Sequence, residues 1–245
     1  RASPHRRPTM PSTHEPLPSL VLAVHGSSDD APAPAPRVLE TIAALRPVWV
    51  WRYKGAAEPP PLALGPRCIV VPYAMSHGWF VRTVVPRCVD ALAAHGVVAA
   101  DVTAPVGTHA AVRTVVASQV AAAGAQARAV VLVAHGTRRD AASGAVARSI
   151  AQGGVAGLPT TARFIDEDPL LGPDDLADGT VIVPLFVASG PHVNVDIPGR
   201  LDIDRPTRDE WSSTRGTAVF VCSPTGERPE MAQIVLDLAR TCSPP

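Results

Sequence analysis

The sequence carries no excess charge of either sign. Lys and Arg number 22 and Asp and Glu 22, which argues against a nucleic-acid binder working through a strong basic field. Long apolar runs are missing too: none nears the roughly 20 residues that a bilayer-crossing helix requires. The first clear one, Leu20–Val24, is too short for the apolar centre of a signal peptide and runs straight into a polar motif, so it reads as a strand. Cysteine is sparse. Cys68, Cys88, Cys222 and Cys242 form no CxxC pair, a spacing that supports neither a zinc knuckle nor an iron–sulfur cluster nor a dense disulfide framework. Reduced thiols in a cytoplasmic protein, without nucleic-acid or membrane partner, are the plain reading.

What is present belongs to a globular body. Hydrophobic residues make up 46% of the chain and charged residues 18%, and 245 residues suffice for one large domain or two small ones with real cores. Residues 1–18, RASPHRRPTMPSTHEPLP, are rich in Pro, Ser and basic residues and lack apolar periodicity; a disordered tail is expected there. His5 and His14 lie in it and carry little weight.

An internal repeat organises the rest. SLVLAVHGSSDD, ending at Asp30, matches AVVLVAHGTRRD, ending at Asp140. IVVPYAMSHGWFVRTVVPR (Ile69 to Arg87) matches VIVPLFVASGPHVNVDIPGR (Val181 to Arg200), with Pro72 opposite Pro184, Gly78 opposite Gly190 and Pro86 opposite Pro198. A third pair starts at Thr103 (TAPVGTHAAVRTVVASQVA) and Cys222 (CSPTGERPEMAQIVLDLAR). Matched blocks in the same order imply a duplication, with halves at 19–124 and 125–245. Each half reads strand, helix, strand, strand, helix, strand, helix. The strands are short continuous apolar runs, as when both faces are covered, and their alternation with alanine-rich helices predicts parallel sheets with right-handed crossovers. The expected fold is α/β, two flavodoxin-like subdomains with a cleft between them.

In such sheets functional groups gather at the carboxyl ends of the strands, and both His-Gly motifs stand there. His135 follows Val130–Ala134, and Gly136 permits a tight turn and a close ligand approach. A single His at a strand end is more often a structural hydrogen-bonder than a ligand, but His25 at the equivalent place points to two halves facing each other. His192 follows Val181–Leu185 in the loop Ser189-Gly190-Pro191-His192. Two imidazoles at neighbouring strand ends suit a first-row divalent metal. Asp166, after Thr161–Ile165, is a carboxylate neighbour fit to be a third ligand or a base.

A strand ending in HGS or HGT, then FIDEDP, then PLFVASGPHVNVDIP resembles the class II chelatases, the CbiX/SirB/CbiK group that inserts Co²⁺ or Fe²⁺ into sirohydrochlorin. The resemblance spans about Leu20 to Leu238, and the PLF block is its most specific part. It implies metal-handling and catalytic roles for His135, Asp166 and His192. The chain departs from the pattern in two ways. Asp166 stands where Glu is usual, one methylene shorter. In the first half only His25 survives: Phe80 aligns with His192, Lys54 sits near the place of the acidic residue, and His77 aligns with Ser189. His25 remains a candidate to face the metal across the cleft.

The resemblance implies a divalent metal as substrate (Co²⁺ or Fe²⁺, with Ni²⁺ possible) and no organic cofactor. Neutral His would present the ion loosely and accept the pyrrole protons. Sirohydrochlorin is a polycarboxylate, so a cationic rim is expected from Arg138, Arg139, Arg82, Lys54 and Arg200, each of which is otherwise a solvated surface charge. Trp79 and Phe80 are candidates for an apolar wall against the macrocycle, Ser189 and Gly190 for the substrate loop, and Ser27, Ser28 and Thr137 for hydrogen bonds to the substrate or, the better reading, for helix caps. Asp196 reads as a loop-fixing residue, and Asp202 to Arg215 as a polar insertion without counterpart in the first half. Besides a sirohydrochlorin chelatase, which as a duplicated chain would be a monomer or weak homo-oligomer, two readings stand open: a diverged paralogue acting on another tetrapyrrole or small molecule, and a non-catalytic metal or porphyrinoid carrier.

Overall fold

The fold is that of a computed structural model, which describes residues 17–26, 34–54, 64–204 and 207–242. The expected tail falls outside these residues up to position 16, as do Ser27, Ser28, His5 and His14.

The first half runs β1 (Ser19–Val24), α1 (Pro36–Ala43), β2 (Val48–Arg52), β3 (Arg67–Pro72), α2 (Val85–Ala94), β4 (Ala99–Val102) and α3 (Val112–Ala122). The second runs β5 (Ala129–Ala134), α4 (Ala145–Gln152), β6 (Thr160–Phe164), β7 (Thr180–Pro184), α5 (Ile197–Leu201), β8 (Trp211–Thr214), β9 (Thr217–Val221) and α6 (Met231–Thr241). This is the expected order with one addition, β8, built from the insertion. The sheets are ordered β2-β1-β3-β4 and β6-β5-β7-β9-β8. All pairings are parallel except β8 with β9. The central strands β1 and β7 are buried along their whole length, which is why they read as unbroken apolar runs rather than alternating ones.

Alternate residues of each strand serve different cores. Leu20, Leu22 and Val24 of β1 join Val130, Leu132 and Ala134 of β5 in one cluster that runs through both halves and takes in α3 and α6. On the opposite faces, Val21 and Ala23 pack with Val85, Cys88 and Leu92 of α2, and Val131 and Val133 pack with Ile197 and Leu201 of α5. The last helix of each half crosses over: α6 lies against α1 and β3, and α3 against β7. Buried hydrogen bonds follow the same crossing. Tyr73 Oη donates to Gly226 O at 2.6 Å, Gln119 Nε2 donates to Ser223 O at 2.7 Å, and Thr225 Oγ1 donates to Gln119 Oε1 at 2.9 Å. Unpaired, each of these buried groups would cost about 1–3 kcal/mol, so they fix how the two halves sit. Burial pushes the thiols of Cys88 and Cys222 up to about 12. No helix among the described residues is long and apolar enough to cross a membrane.

Candidate metal centre at the carboxyl ends of the strands

β1 and β5 end in the same device. His25 and His135 each leave the last buried strand residue, and Gly26 and Gly136 follow with φ of +72° and +65°. A Cβ at Gly26 would collide with the Lys54 carbonyl, and one at Gly136 with the side chain of Glu167, so sterics and backbone both require glycine. Lys54 N donates to His25 O at 2.9 Å, and Asp166 N to His135 O at 2.9 Å. Lys54 therefore occupies the place in the first half that Asp166 holds in the second.

The imidazole tautomers follow from their partners. His135 Nδ1 lies 2.5 Å from Gly136 O. A carbonyl only accepts, so Nδ1 carries the proton and Nε2 keeps its lone pair. That lone pair is 3.4 Å from Asp166 Oδ2. Two electron-pair donors thus face each other across a gap that a proton or a cation would fill. His192 Nδ1 lies 2.6 Å from Asp196 Oδ2, which leaves its Nε2 free and its ring oriented, as carboxylates do behind metal-binding histidines. The rings of His135 and His192 meet edge to face, centroids 4.6 Å apart at 80°, and Phe186 backs His192 at 5.9 Å. The side chains of His135, Asp166, His192 and Asp196 are each partly exposed. Among the described residues no three His, Cys, Asp or Glu side chains are already gathered into a metal cage; the arrangement is open.

His25 and His135 line one cavity of about 190 Å³ at the junction of the halves, with Tyr73, Met75, Phe80, Leu185 and Phe186. His25 Nδ1 is 2.9 Å from Gly26 O. Burial lowers its pKa, and Lys54 and His135 lower it further against an opposing effect of the Gly26 hydrogen bond. Around it stand aromatic rings: Tyr53 at 5.8 Å, Phe80 at 5.7 Å, and Trp79 at 6.0 Å from Tyr53. A larger cavity of about 300 Å³ is not lined by His25, His135 or His192 and lies beside His109, Arg113 and Ser149. There Arg113 already donates to the carbonyls of Ser149, Ile150 and Gly154.

Of the cationic residues, Arg82 pairs with Asp140 of the other half and donates to His77 O at 2.7 Å, joining the two halves. Arg138 pairs with Asp168 at 3.2 Å on an exposed surface, and Arg139 and Lys54 are exposed. Trp79 is half exposed. Ser189 N donates to Glu227 Oε1 at 2.5 Å, and its hydroxyl accepts from Arg208. Thr137 is not a helix cap: its hydroxyl accepts from Arg139 N, and the short helical turn that follows is capped by Asp140, which accepts from Ala142 N. Asp140 sits at the end of the polar turn, close enough to reach back to that N–H.

Sequence reasoning passed over Glu167. Beside the half-exposed Asp166 it turns inward, is 7% exposed, pairs with Arg148 and accepts from Thr137 N at 2.9 Å, fixing the turn after His135. The run of acids in FIDEDP marked the place but not which acid turns inward, because the alternation of the strand ends at Phe164.

Residues 129–242 match the sequence model of the CbiX family. A search of curated proteins gives no match. Among solved structures, CbiX, described as the terminal enzyme for biosynthesis of siroheme in denitrifying bacteria, has a TM-score of 0.66 at 22% identity, over 92% of this chain and 100% of that one. SirB from Bacillus subtilis with Fe³⁺ has a TM-score of 0.64 at 17% identity, over 91% and 94%. The sirohydrochlorin chelatase SirB from Bacillus subtilis subspecies spizizenii, in complex with cobalt, has a TM-score of 0.61 at 15% identity, over 91% and 94%. At these identities the likeness establishes the fold.

Proposed function

We propose that the chain, whose residues 129–242 match the CbiX family model, is a metal chelatase that inserts Co²⁺ or Fe²⁺ into sirohydrochlorin. The observation that carries this reading is the facing pair of donors, His135 Nε2 and Asp166 Oδ2 at 3.4 Å, with a second free imidazole beside them. Borderline nitrogen and carboxylate oxygen suit Co²⁺, Fe²⁺ and Ni²⁺ alike. Sparse, half-exposed ligands hold such an ion less firmly than a closed thiolate site, which is what delivery needs. The ion is substrate and is surrendered.

His135, His192 and Asp166 present the metal in this reading, with His25 facing it from the first half. As the ion enters the ring, two pyrrole N–H protons must leave. The free Nε2 positions of neutral histidines accept them, since imidazole titrates near neutrality. The 190 Å³ cavity is below the roughly 300–1,000 Å³ of enclosed ligand sites. The macrocycle would therefore lie across its mouth. Tyr53, Trp79 and Phe80 then offer aromatic faces to a flat ring. Lys54, Arg138, Arg139 and Arg82 meet its carboxylates, and Ser189 and Gly190 border the ring at the His192 loop. The two halves of one chain supply both walls, so a monomer or weak homo-oligomer suffices. A cytoplasmic location, with neither nucleic acid nor membrane as partner, goes with this reading.

The test is spectral. Purified protein with sirohydrochlorin and Co²⁺ or Fe²⁺ should change the absorption of the macrocycle faster than a protein-free control. Binding without faster insertion would make the protein a carrier, and no binding would make it a paralogue with another substrate.

A further inference from the structure

We propose that Arg208, on the insertion that only the second half possesses, is a positioning residue that holds His192 at the metal; this rests on the chelatase reading above. Its guanidinium donates through Nη1 to Ser189 Oγ at 2.5 Å and through Nη2 to Asn194 Oδ1. Ser189 and Asn194 stand on either side of His192 in the chain, so one planar fork ties both flanks of the loop that carries the imidazole. Both acceptors are neutral, so the fork acts here as a clamp on geometry. Lysine has no such fork: its single ammonium cannot reach two separated acceptors with the same preorganisation.

The clamp has a firm base. Arg208 makes a β-bridge with Val221, and Asp209 N donates to Val221 O at 2.8 Å. The Asp209 carboxylate accepts from Ser223 N at 3.0 Å and Ser223 Oγ at 2.6 Å. A few residues on, Trp211 Nε1 donates to Ala123 O at 2.8 Å and its ring packs on Phe220, centroids 5.4 Å apart. The segment is thus fastened to the end of β9 and to α3 before Arg208 reaches across. Glu227, which accepts from Ser189 N, holds the same loop from the other side.

The two halves explain why only one is clamped. His192 opens a wide helical turn, His192–Asp196, and its ring must stay edge-on to His135 for both Nε2 atoms to serve one ion. The equivalent turn, Phe80–Val84, opens on a phenylalanine that has no ion to meet, and the first half has no counterpart of the insertion. Clamp and ligand occur together. A small misplacement of a catalytic group can cost up to about a hundredfold in rate.

Arg208→Ala, Arg208→Lys and Arg215→Ala are compared in the full chain by two readouts: Co²⁺ binding without tetrapyrrole, followed by its visible ligand-field bands, and the initial rate of insertion as Co²⁺ is varied, with thermal unfolding alongside. Arg208→Ala should weaken Co²⁺ binding and raise its KM about tenfold, with Arg208→Lys between it and the parent. Arg215→Ala breaks only an exposed pair with Asp202 on the same segment and should match the parent. In a His192→Ala background, Arg208→Ala should cost nothing more, because the two act through one contact. Unchanged Co²⁺ affinity and KM in Arg208→Ala overturn the proposal, as does a tenfold loss that persists without His192. Should Arg208→Ala unfold, Asn194→Ala replaces it with the same expectations. A parent that binds Co²⁺ but inserts none defeats the chelatase reading alone, and the ratio of Co²⁺ affinities still decides the role of Arg208.

Discussion

Phe80 lies edge-on to His25, ring centroids 5.7 Å apart at 72°, in the position that His192 takes against His135. The two halves keep one geometry and carry different chemistry on it. Lys54 replaces Asp166, Phe80 replaces His192, and the buried Val84 replaces Asp196. The first half keeps one imidazole, and around it the carboxylate and second imidazole of the other half have given way to aromatic rings and a cation. Those groups suit a flat polycarboxylate better than an ion.

That exchange can be reversed. Lys54→Asp with Phe80→His restores a facing carboxylate and a second imidazole beside His25. Calorimetric titration with Co²⁺ should then find two equivalents bound per chain where the parent binds one. A double variant that folds and still binds a single equivalent would mean that the halves differ in more than these side chains.

In the second half, His135→Ala and His192→Ala should each lower the insertion rate by about 10²-fold or more, in the range of losing a positioned proton acceptor. His25→Ala should cost less, about tenfold, because its half offers no second ligand. Steady-state rates at saturating macrocycle measure this. Parental activity in His192→Ala would remove that residue from the site.

The sequence carried the repeat because duplication preserves Pro and Gly, whose backbone constraints outlast side-chain drift. Gly26 and Gly136 stand where only glycine fits, and Pro72 and Pro184 end equivalent strands. The His-Gly strand ends were legible for the same reason. What pairs with what was less so. Asp196 reads as a loop-fixing acid, yet its partner is His192, one wide helical turn earlier, a spacing that a local pattern does not mark as a contact. Arg208 was invisible because its reach depends on the β8–β9 pairing, and β8 is a short edge strand of Trp, Ser and Thr within a polar insertion.

The Asp196 carboxylate predicts a graded series. Asp196→Asn keeps an acceptor for His192 Nδ1–H but loses the negative charge behind the ring; Asp196→Ala loses both. Co²⁺ affinity should fall about tenfold in the first and toward a hundredfold in the second, the usual range for groups behind a metal-binding His. Direct titration of the metal-free variants measures it. Equal affinity in Asp196→Ala and parent would leave the 2.6 Å hydrogen bond without a role at the metal.

His25 gives a prediction for stability. Burial first, then Lys54 and His135, hold its pKa below the usual 6.5. In the unfolded chain it titrates near that value, so below pH 6.5 the unfolded state binds a proton that the folded state declines. Stability then rises with pH wherever the unfolded state carries more protons. The contribution is fully present above pH 6.5, shrinks as pH falls below it, and is lost through the lower folded pKa. In metal-free protein, the denaturation midpoint should therefore fall between pH 7 and pH 5 more steeply for the parent than for His25→Gln, which has no proton to bind. Added Co²⁺ should steepen the parent's dependence further if His25 also meets the ion, because metal binds only the neutral ring. Parallel midpoints for parent and variant across that range would show that His25 titrates alike in both states, and that its burial between the two halves has no hold on the proton.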